Sequence, residues 1–133
     1  MDQPRLLLVE DNDHARLAFR MALTRAGWRV LEAPDGTTAL AVARKEQPDL
    51  IVQDLLLPDM DAYDLLGELR ALPGGADRPI LVLSGWLTKM ADARRRGLAF
   101  NAYLPKPIGV SQLCAAVAAF RPSAVGVRPM TAL

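Results

Sequence analysis

The sequence predicts an α/β fold, a doubly wound five-stranded parallel sheet with helices on both faces. Three observations carry this. Five short strand-like segments recur along the 133 residues, four of them consecutive apolar runs, and such runs suit strands buried on both faces. Each run is followed by a segment long enough for a crossover helix, and right-handed crossovers then place helices on both sides of the sheet. Glycine and proline signals fall at the junctions between these units.

Leu6-Leu7-Leu8-Val9 forms the first run and ends abruptly in Glu10-Asp11-Asn12-Asp13. Asn12 or Asp13 can cap a helix reaching about Ala26, with Ala15, Phe19, Ala22, Leu23 and Ala26 on its inner face. Gly27 stops it. A second strand covers Trp28 to Ala33, and Pro34-Asp35-Gly36 turns into a helix over Thr37 to Lys45 with Asp35 as cap. Gln47-Pro48 ends that helix. The third strand, Leu50-Ile51-Val52, runs out at Asp54, followed by the proline-bounded loop Leu55 to Asp61. A helix over Asp61 to Leu72 turns Leu65, Leu66 and Leu69 inward, and Pro73-Gly74-Gly75 closes it. Ile80 to Leu83 is the fourth strand, ending at Ser84-Gly85. A helix is expected over Leu87 to Arg96, broken by Gly97. Ala102-Tyr103-Leu104 is the fifth strand, closed by Pro105-Lys106-Pro107. The last helix spans Ser111 to Phe120, with Ser111 as its cap.

Composition narrows the function. The length suits one domain with a single core, and a 51% hydrophobic content is that of a globular chain. A net charge of +1 gives no electrostatic support for nucleic-acid binding. Arg94-Arg95-Arg96 reads as a solvated helix face, though with Trp86 it could anchor a partner. The single cysteine, Cys114, has no partner for a disulfide and no ligands at metal spacing, so it is a packing residue. No apolar run approaches the ~18 residues of a membrane span, and the N-terminus lacks a signal pattern. A cytoplasmic protein without a membrane partner is expected.

In an open α/β sheet, ligands bind outside the carboxyl ends of the strands. The polar residues fall there: Glu10 and Asp11 after the first strand, Asp54 after the third, Ser84 after the fourth, Lys106 after the fifth. Separations of 43, 30 and 22 residues between Asp11, Asp54, Ser84 and Lys106 are those of successive strand–helix units. Singly, each has a plain reading: turn aspartate, cap serine, surface lysine. Five at one end of four strands argue for a site. Three close carboxylates repel one another unless a cation intervenes. All-oxygen ligands suit a hard ion, Mg²⁺ first and Mn²⁺ second. Asp54 can then attack phosphorus, with Lys106 neutralising the phosphoryl oxygens. The Ser84 hydroxyl and the amides of Leu55, Leu56 and Gly85 can supply hydrogen bonds.

Together, Leu6-Leu-Leu-Val-Glu10-Asp11-Asn12, Asp54-Leu-Leu-Leu-Pro58-Asp-Met-Asp61, Leu83-Ser84-Gly85 and Tyr103-Leu-Pro-Lys106-Pro107 resemble the receiver domain of two-component response regulators. The resemblance covers roughly residues 4 to 120. It implies a (βα)5, flavodoxin/CheY-like three-layer sandwich with sheet order 2-1-3-4-5. The receiver would occupy residues 1–121, with 122–133 a flexible tail or the start of a linker. It implies that Asp54 accepts phosphate from a phosphohistidine on a histidine kinase or histidine phosphotransfer protein. By the same analogy Asp11, Asp54 and the Leu56 carbonyl bind the metal, Glu10 acts through water, and the Lys106–Pro107 bond is cis. Ser84 and Tyr103 would be the switch pair, reporting to an effector on the face of the fourth helix, fifth strand and fifth helix. Such a protein is a monomer or a phosphorylation-dependent dimer. It is not an enzyme beyond its own phosphorylation and slow dephosphorylation.

Four features depart from the family pattern: Gly97 to Tyr103 is about two residues longer than usual, Pro105 stiffens the approach to Lys106, and two further residues differ in kind. Ala62 stands where glycine is usual, so a different turn after Asp61 is expected. Leu56, two residues after Asp54, is apolar and would restrict water, favouring slow loss of phosphate. Two other functions compete. A haloacid-dehalogenase-type phosphohydrolase expects a second aspartate at position 56, where this chain has leucine. A pseudo-receiver would bind partners without taking phosphate, against the retention of all five site residues.

Overall fold

A computed structural model describes residues 3–85 and 99–122. Five parallel strands, β1 (Arg5–Val9), β2 (Arg29–Ala33), β3 (Leu50–Asp54), β4 (Ile80–Ser84) and β5 (Ala102–Pro105), form one sheet in the order β2-β1-β3-β4-β5. The helices described are α1 (Asp13–Arg25), α2 (Gly36–Glu46), α3 (Ala62–Ala71) and a C-terminal helix, Val110–Ala118. The expected helix over Leu87 to Arg96, with Trp86 and the arginine cluster, and the tail from residue 123 lie outside the described residues.

Strand alternation divides the core into two layers. Leu7, Val9, Ile51, Ile80 and Val82 pack with Ala39 and Ala43 of α2 and with Leu65, Leu66 and Leu69 of α3. Leu6, Leu8, Leu50, Val52, Leu81 and Leu83 pack with Phe19 and Leu23 of α1 and with Leu113 and Val117 of the C-terminal helix. Successive side chains point to opposite faces, so consecutive apolar residues are what a sheet covered on both sides requires.

The helix caps follow local chemistry. Asn12 Oδ1 accepts from the Ala15 amide at 2.9 Å, and Asp35 Oδ1 from the Thr38 amide at 2.7 Å. Asp61 Oδ1 accepts from the Tyr63 and Asp64 amides at 2.8 and 3.2 Å. Gln47 ends α2 in the left-handed region at φ 47°.

Three local expectations are corrected. The C-terminal helix starts at Val110 with Gly109 as cap rather than Ser111, because Gln112 Oε1 reaches back to the Gly109 amide at 2.9 Å. The helical ladder already begins at Gly109, whose carbonyl accepts from Leu113. Trp28 precedes β2: its amide bonds the Leu23 carbonyl at 3.1 Å, and its buried ring joins the α1-side core. Ala26 is the exposed C-cap of α1, not an inward residue. Ala62 is the first residue of α3 and is buried, in a helical conformation that alanine fills readily.

Candidate functional site

Glu10, Asp54 and Lys106 each extend the same alternation past the apolar core. Positions 6, 8 and 10 of the β1 segment, 50, 52 and 54 of β3, and 102, 104 and 106 of the β5 segment share one face. Their apolar members all belong to the layer under α1 and the C-terminal helix. The first four or five residues of each run bury carbon, and the next residue on that face brings a charge to the sheet end.

There Lys106 Nζ donates to Asp54 Oδ2 at 2.5 Å and to Glu10 Oε1 at 3.1 Å. Glu10 is fully buried and Asp54 is 4% exposed, while a third of the Lys106 side chain reaches solvent. Asp54 Oδ1 accepts from the Leu56 amide at 3.1 Å, and Glu10 Oε2 from the Asn12 amide at 3.1 Å. Glu10 is fixed by its backbone as well. Its amide donates to the Ala33 carbonyl at the end of β2, and its carbonyl accepts from Arg16 Nη1 at 2.8 Å. Burial pushes the Glu10 carboxyl above its ordinary value, and the Asp54 charge adds to this against the Asn12 amide and Lys106. Burial opposes the Lys106 ammonium, but its bonds to Asp54 and Glu10 and their charges outweigh that and raise its pKa.

Glu10, Asp11 and Asp54 each offer a carboxylate oxygen, all within 4.8 Å of one another. Asp11 is exposed, so one side of the cluster is open to water. One ammonium does not balance three carboxylates, and the donors are all oxygen. The residues present fit a hard divalent cation.

Ser84 ends β4, buried, in register with Pro105, and its carbonyl accepts from the Lys106 amide at 3.1 Å. Gly85, exposed, follows beside Lys106. The Leu55 amide bonds the Leu83 carbonyl at 2.9 Å, which holds the chain after Asp54 against β4. Leu56 is half exposed. The Lys106–Pro107 peptide bond is cis. Tyr103, in register with Val82, packs on the α2–α3 face. Ser84 shares that face by alternation from Ile80 and Val82. The Tyr103 hydroxyl accepts from the Phe100 amide at 3.4 Å, and its ring meets Phe100 edge-on at 5.7 Å.

The sequence reading missed three residues around this site. Phe100 packs against both Tyr63 and Tyr103, but it stands outside any periodic segment. Gln53, fully buried beside Asp54 on the opposite face, donates from Nε2 to the Ala62 carbonyl at 3.2 Å. Its Oε1 has no hydrogen-bond partner among the described residues. Asp59 bonds α2 across the loop, which a local reading of Pro58-Asp59 as a turn does not show.

A family model for the response regulator receiver domain matches residues 6–118. The chain belongs to the receiver domain family of two-component response regulators. The receiver is 35% identical over 117 residues to the response regulator MprA of Mycobacterium leprae, covering 86% of this chain and 50% of that protein. It is 32% identical over 111 residues to an uncharacterised 14.6 kDa protein of Leptolyngbya boryana, covering 84% and 85% of the two chains. The receiver thus spans about half the length of the larger relative and most of the smaller. The receiver domain of sensor histidine kinase PA1611 from Pseudomonas aeruginosa superposes with a TM-score of 0.77 at 29% identity, covering 90% of this chain and 98% of that one. That crystal structure carries a magnesium ion coordinated in its active-site cleft. Among the described residues, no helix of this receiver is long and apolar enough to cross a membrane.

Proposed function

We propose that this receiver takes a phosphoryl group on Asp54 from the phosphohistidine of a histidine kinase or histidine phosphotransfer protein in the cytoplasm. The observation that carries this reading is the buried Asp54 carboxylate, held by Lys106 Nζ and flanked by Glu10 and Asp11 at one sheet end. A carboxylate buried there is costly unless paired and hydrogen-bonded, which Lys106 and the Leu56 amide provide, leaving it ionised and able to act as a nucleophile.

In the transfer, an Asp54 oxygen attacks phosphorus and the phosphorus–nitrogen bond breaks. The electron pair returns to the imidazole, which takes up a proton, and an acyl phosphate remains on Asp54. Lys106 releases the Asp54 oxygen it now holds and binds a phosphoryl oxygen instead. The Ser84 hydroxyl and the amides of Leu55, Leu56 and Gly85 donate to the others. Such fixed donors supply the charge stabilisation that phosphoryl transfer requires. Glu10, Asp11, Asp54 and the Leu56 carbonyl would hold Mg²⁺, with Mn²⁺ as a substitute, and the ion would offset phosphoryl charge. Asp11 is the exposed member through which the ion would enter.

Ser84 and Tyr103 lie on the same sheet face, so a phosphoryl group engaging the Ser84 hydroxyl changes the packing near Tyr103 and Phe100. That change is read by an effector at the surface around β5 and the C-terminal helix. The receiver turns over no other substrate; it promotes its own phosphorylation and slowly loses the phosphate.

The test is incubation with Mg²⁺ and acetyl phosphate, read by intact mass. A single phosphoryl adduct is expected, absent in Asp54→Asn. No adduct together with no Mg²⁺ binding would make the chain a pseudo-receiver, and sustained donor turnover would make it a phosphohydrolase.

A further inference from the structure

The loop that leaves Asp54 is moored in its middle to a helix that contributes nothing else to the site. Asp59 Oδ1 accepts from the Gly36 amide at 2.8 Å, and Asp59 Oδ2 from the Thr37 amide at 2.9 Å and the Thr37 hydroxyl at 2.8 Å. Gly36 and Thr37 open α2, so these are two of its amides with no partner inside the helix. Asp35, the cap of α2, takes only the next one, at Thr38. The helix therefore uses two carboxylates, one local and one reaching across 23 residues. Beside this bond the Met60 side chain lies where a Cβ on Gly36 would stand, 2.5 Å away, so glycine lets the loop lie flat against the helix start. Leu57 and Met60 pack on the α2–α3 core.

Leu56 and Asp59 are only three positions apart, and between them stands Pro58, whose ring fixes φ. Asp59 thereby limits where the Leu56 backbone can go. The same connection closes a ring around the site. Glu10 bonds Ala33 at the end of β2, Pro34 and Asp35 lead into α2, and α2 holds Asp59. Besides the β1–β3 pairing and the Lys106 bridge, α2 thus adds a further link between the acids after β1 and the loop after β3.

We propose that Asp59 is a positioning residue for the phosphoacceptor loop, fixing the Leu56 backbone and with it the affinity of the acidic cluster for Mg²⁺. This rests on the reading of Leu56 as a metal-binding carbonyl. Groups that orient a ligand from behind are commonly worth ~10-fold or more in metal affinity when removed.

The measurement is Mg²⁺ affinity by calorimetry, paired with hydrogen exchange of the Leu56 amide in metal-free protein. Asp59→Ala is expected to weaken Mg²⁺ binding about 10-fold and to speed Leu56 exchange, while the fold is retained by circular dichroism. Asp59→Asn, which keeps one acceptor oxygen, should fall between. Thr37→Val, which removes only the hydroxyl, should show a small loss in the same direction. Asp35→Ala is the control: it uncaps the same helix at Thr38 without releasing the loop, and Mg²⁺ affinity should stay within about twofold. The proposal is overturned if folded Asp59→Ala binds Mg²⁺ like wild type, or if Asp35→Ala weakens binding equally, which would make helix stability the cause. If the wild type itself binds no Mg²⁺ and takes no phosphate, the functional reading and this proposal fall together. If only the Asp59 variants behave as wild type, this proposal falls alone.

Discussion

Leu56 offers its backbone to the site and its side chain to water. Its amide donates to Asp54 Oδ1 at 3.1 Å while its side chain is half exposed. An apolar group there can neither bind nor orient a water near an acyl phosphate on Asp54, but it can shield the phosphorus. We expect Leu56→Asn to shorten the phosphate lifetime by roughly 10-fold, below the ~100-fold or more of a positioned general base, because an amide can orient water but not take its proton. The check is decay of the phosphorylated mass after removal of donor, at fixed Mg²⁺. A rate unchanged or lowered in the variant would remove Leu56 as the cause. Fold stability should hardly move, because the exposed side chain contributes little packing.

At the scale of elements, each helix start among the described residues is held by a carboxylate or amide side chain, and these contacts differ in how far they reach. Asn12, Asp35 and Asp61 cap the residues two or three positions on, so the sequence shows them directly. The Gly109 start is less visible because the polar group belongs to Gln112, inside the helix. Asp59 is invisible by any local rule, since Gly36 and Thr37 stand 23 and 22 residues before it. The same division holds for the site. Glu10, Asp54 and Lys106 were legible because strand parity and strand ends place them. The bonds that fix the loop and Tyr103 depend on packing between elements distant in sequence. Asp59 also carries a pH signature. The Gly36 amide first, then the Thr37 amide and hydroxyl, hold its carboxyl below the ordinary aspartate value. A lowered folded-state pKa contributes stability above the unfolded value of roughly 4, and that contribution is lost as pH falls through the folded value. The Asp59→Asn variant should therefore be less stable than wild type by roughly 0.5 kcal/mol at pH 7, the scale of an exposed charge at a helix N-terminus. The difference should shrink as pH falls below the unfolded value and through the lowered folded one. Urea unfolding at pH 7, 5 and 3 measures it, and a gap that persists undiminished at pH 3 would mean that the Asp59 charge is not its source.

Across the whole molecule, the sheet separates a charged end from two dry layers, and Lys106 is what makes the charged end compatible with folding. Its ammonium bonds both Glu10 and Asp54, two carboxylates almost wholly removed from water. The β5 segment, the last strand to join the sheet in sequence, supplies this cation to acids on β1 and β3 and so ties three strand ends together. Removing one partner of a buried charge cluster costs more than the pair ever contributed, because the remaining charges stay buried. With a third of the Lys106 side chain in solvent, the loss falls short of the roughly 3–5 kcal/mol that breaking a fully buried pair costs. Lys106→Met should thus lose about 2 kcal/mol at pH 7 in urea unfolding. A cation bound only by the folded chain adds stability by mass action, about 1.4 kcal/mol at ten times its Kd. Mg²⁺ at that level should restore at least this much to Lys106→Met, since the acids then face no competing ammonium. Sodium chloride at matched ionic strength should restore far less, because screening acts weakly on buried charges. Two results would sink this account: a variant as stable as wild type in the absence of Mg²⁺, or equal rescue by Mg²⁺ and sodium. The first would mean that Lys106 does not neutralise the buried acids, and the second that the cluster has no ion site distinct from general screening.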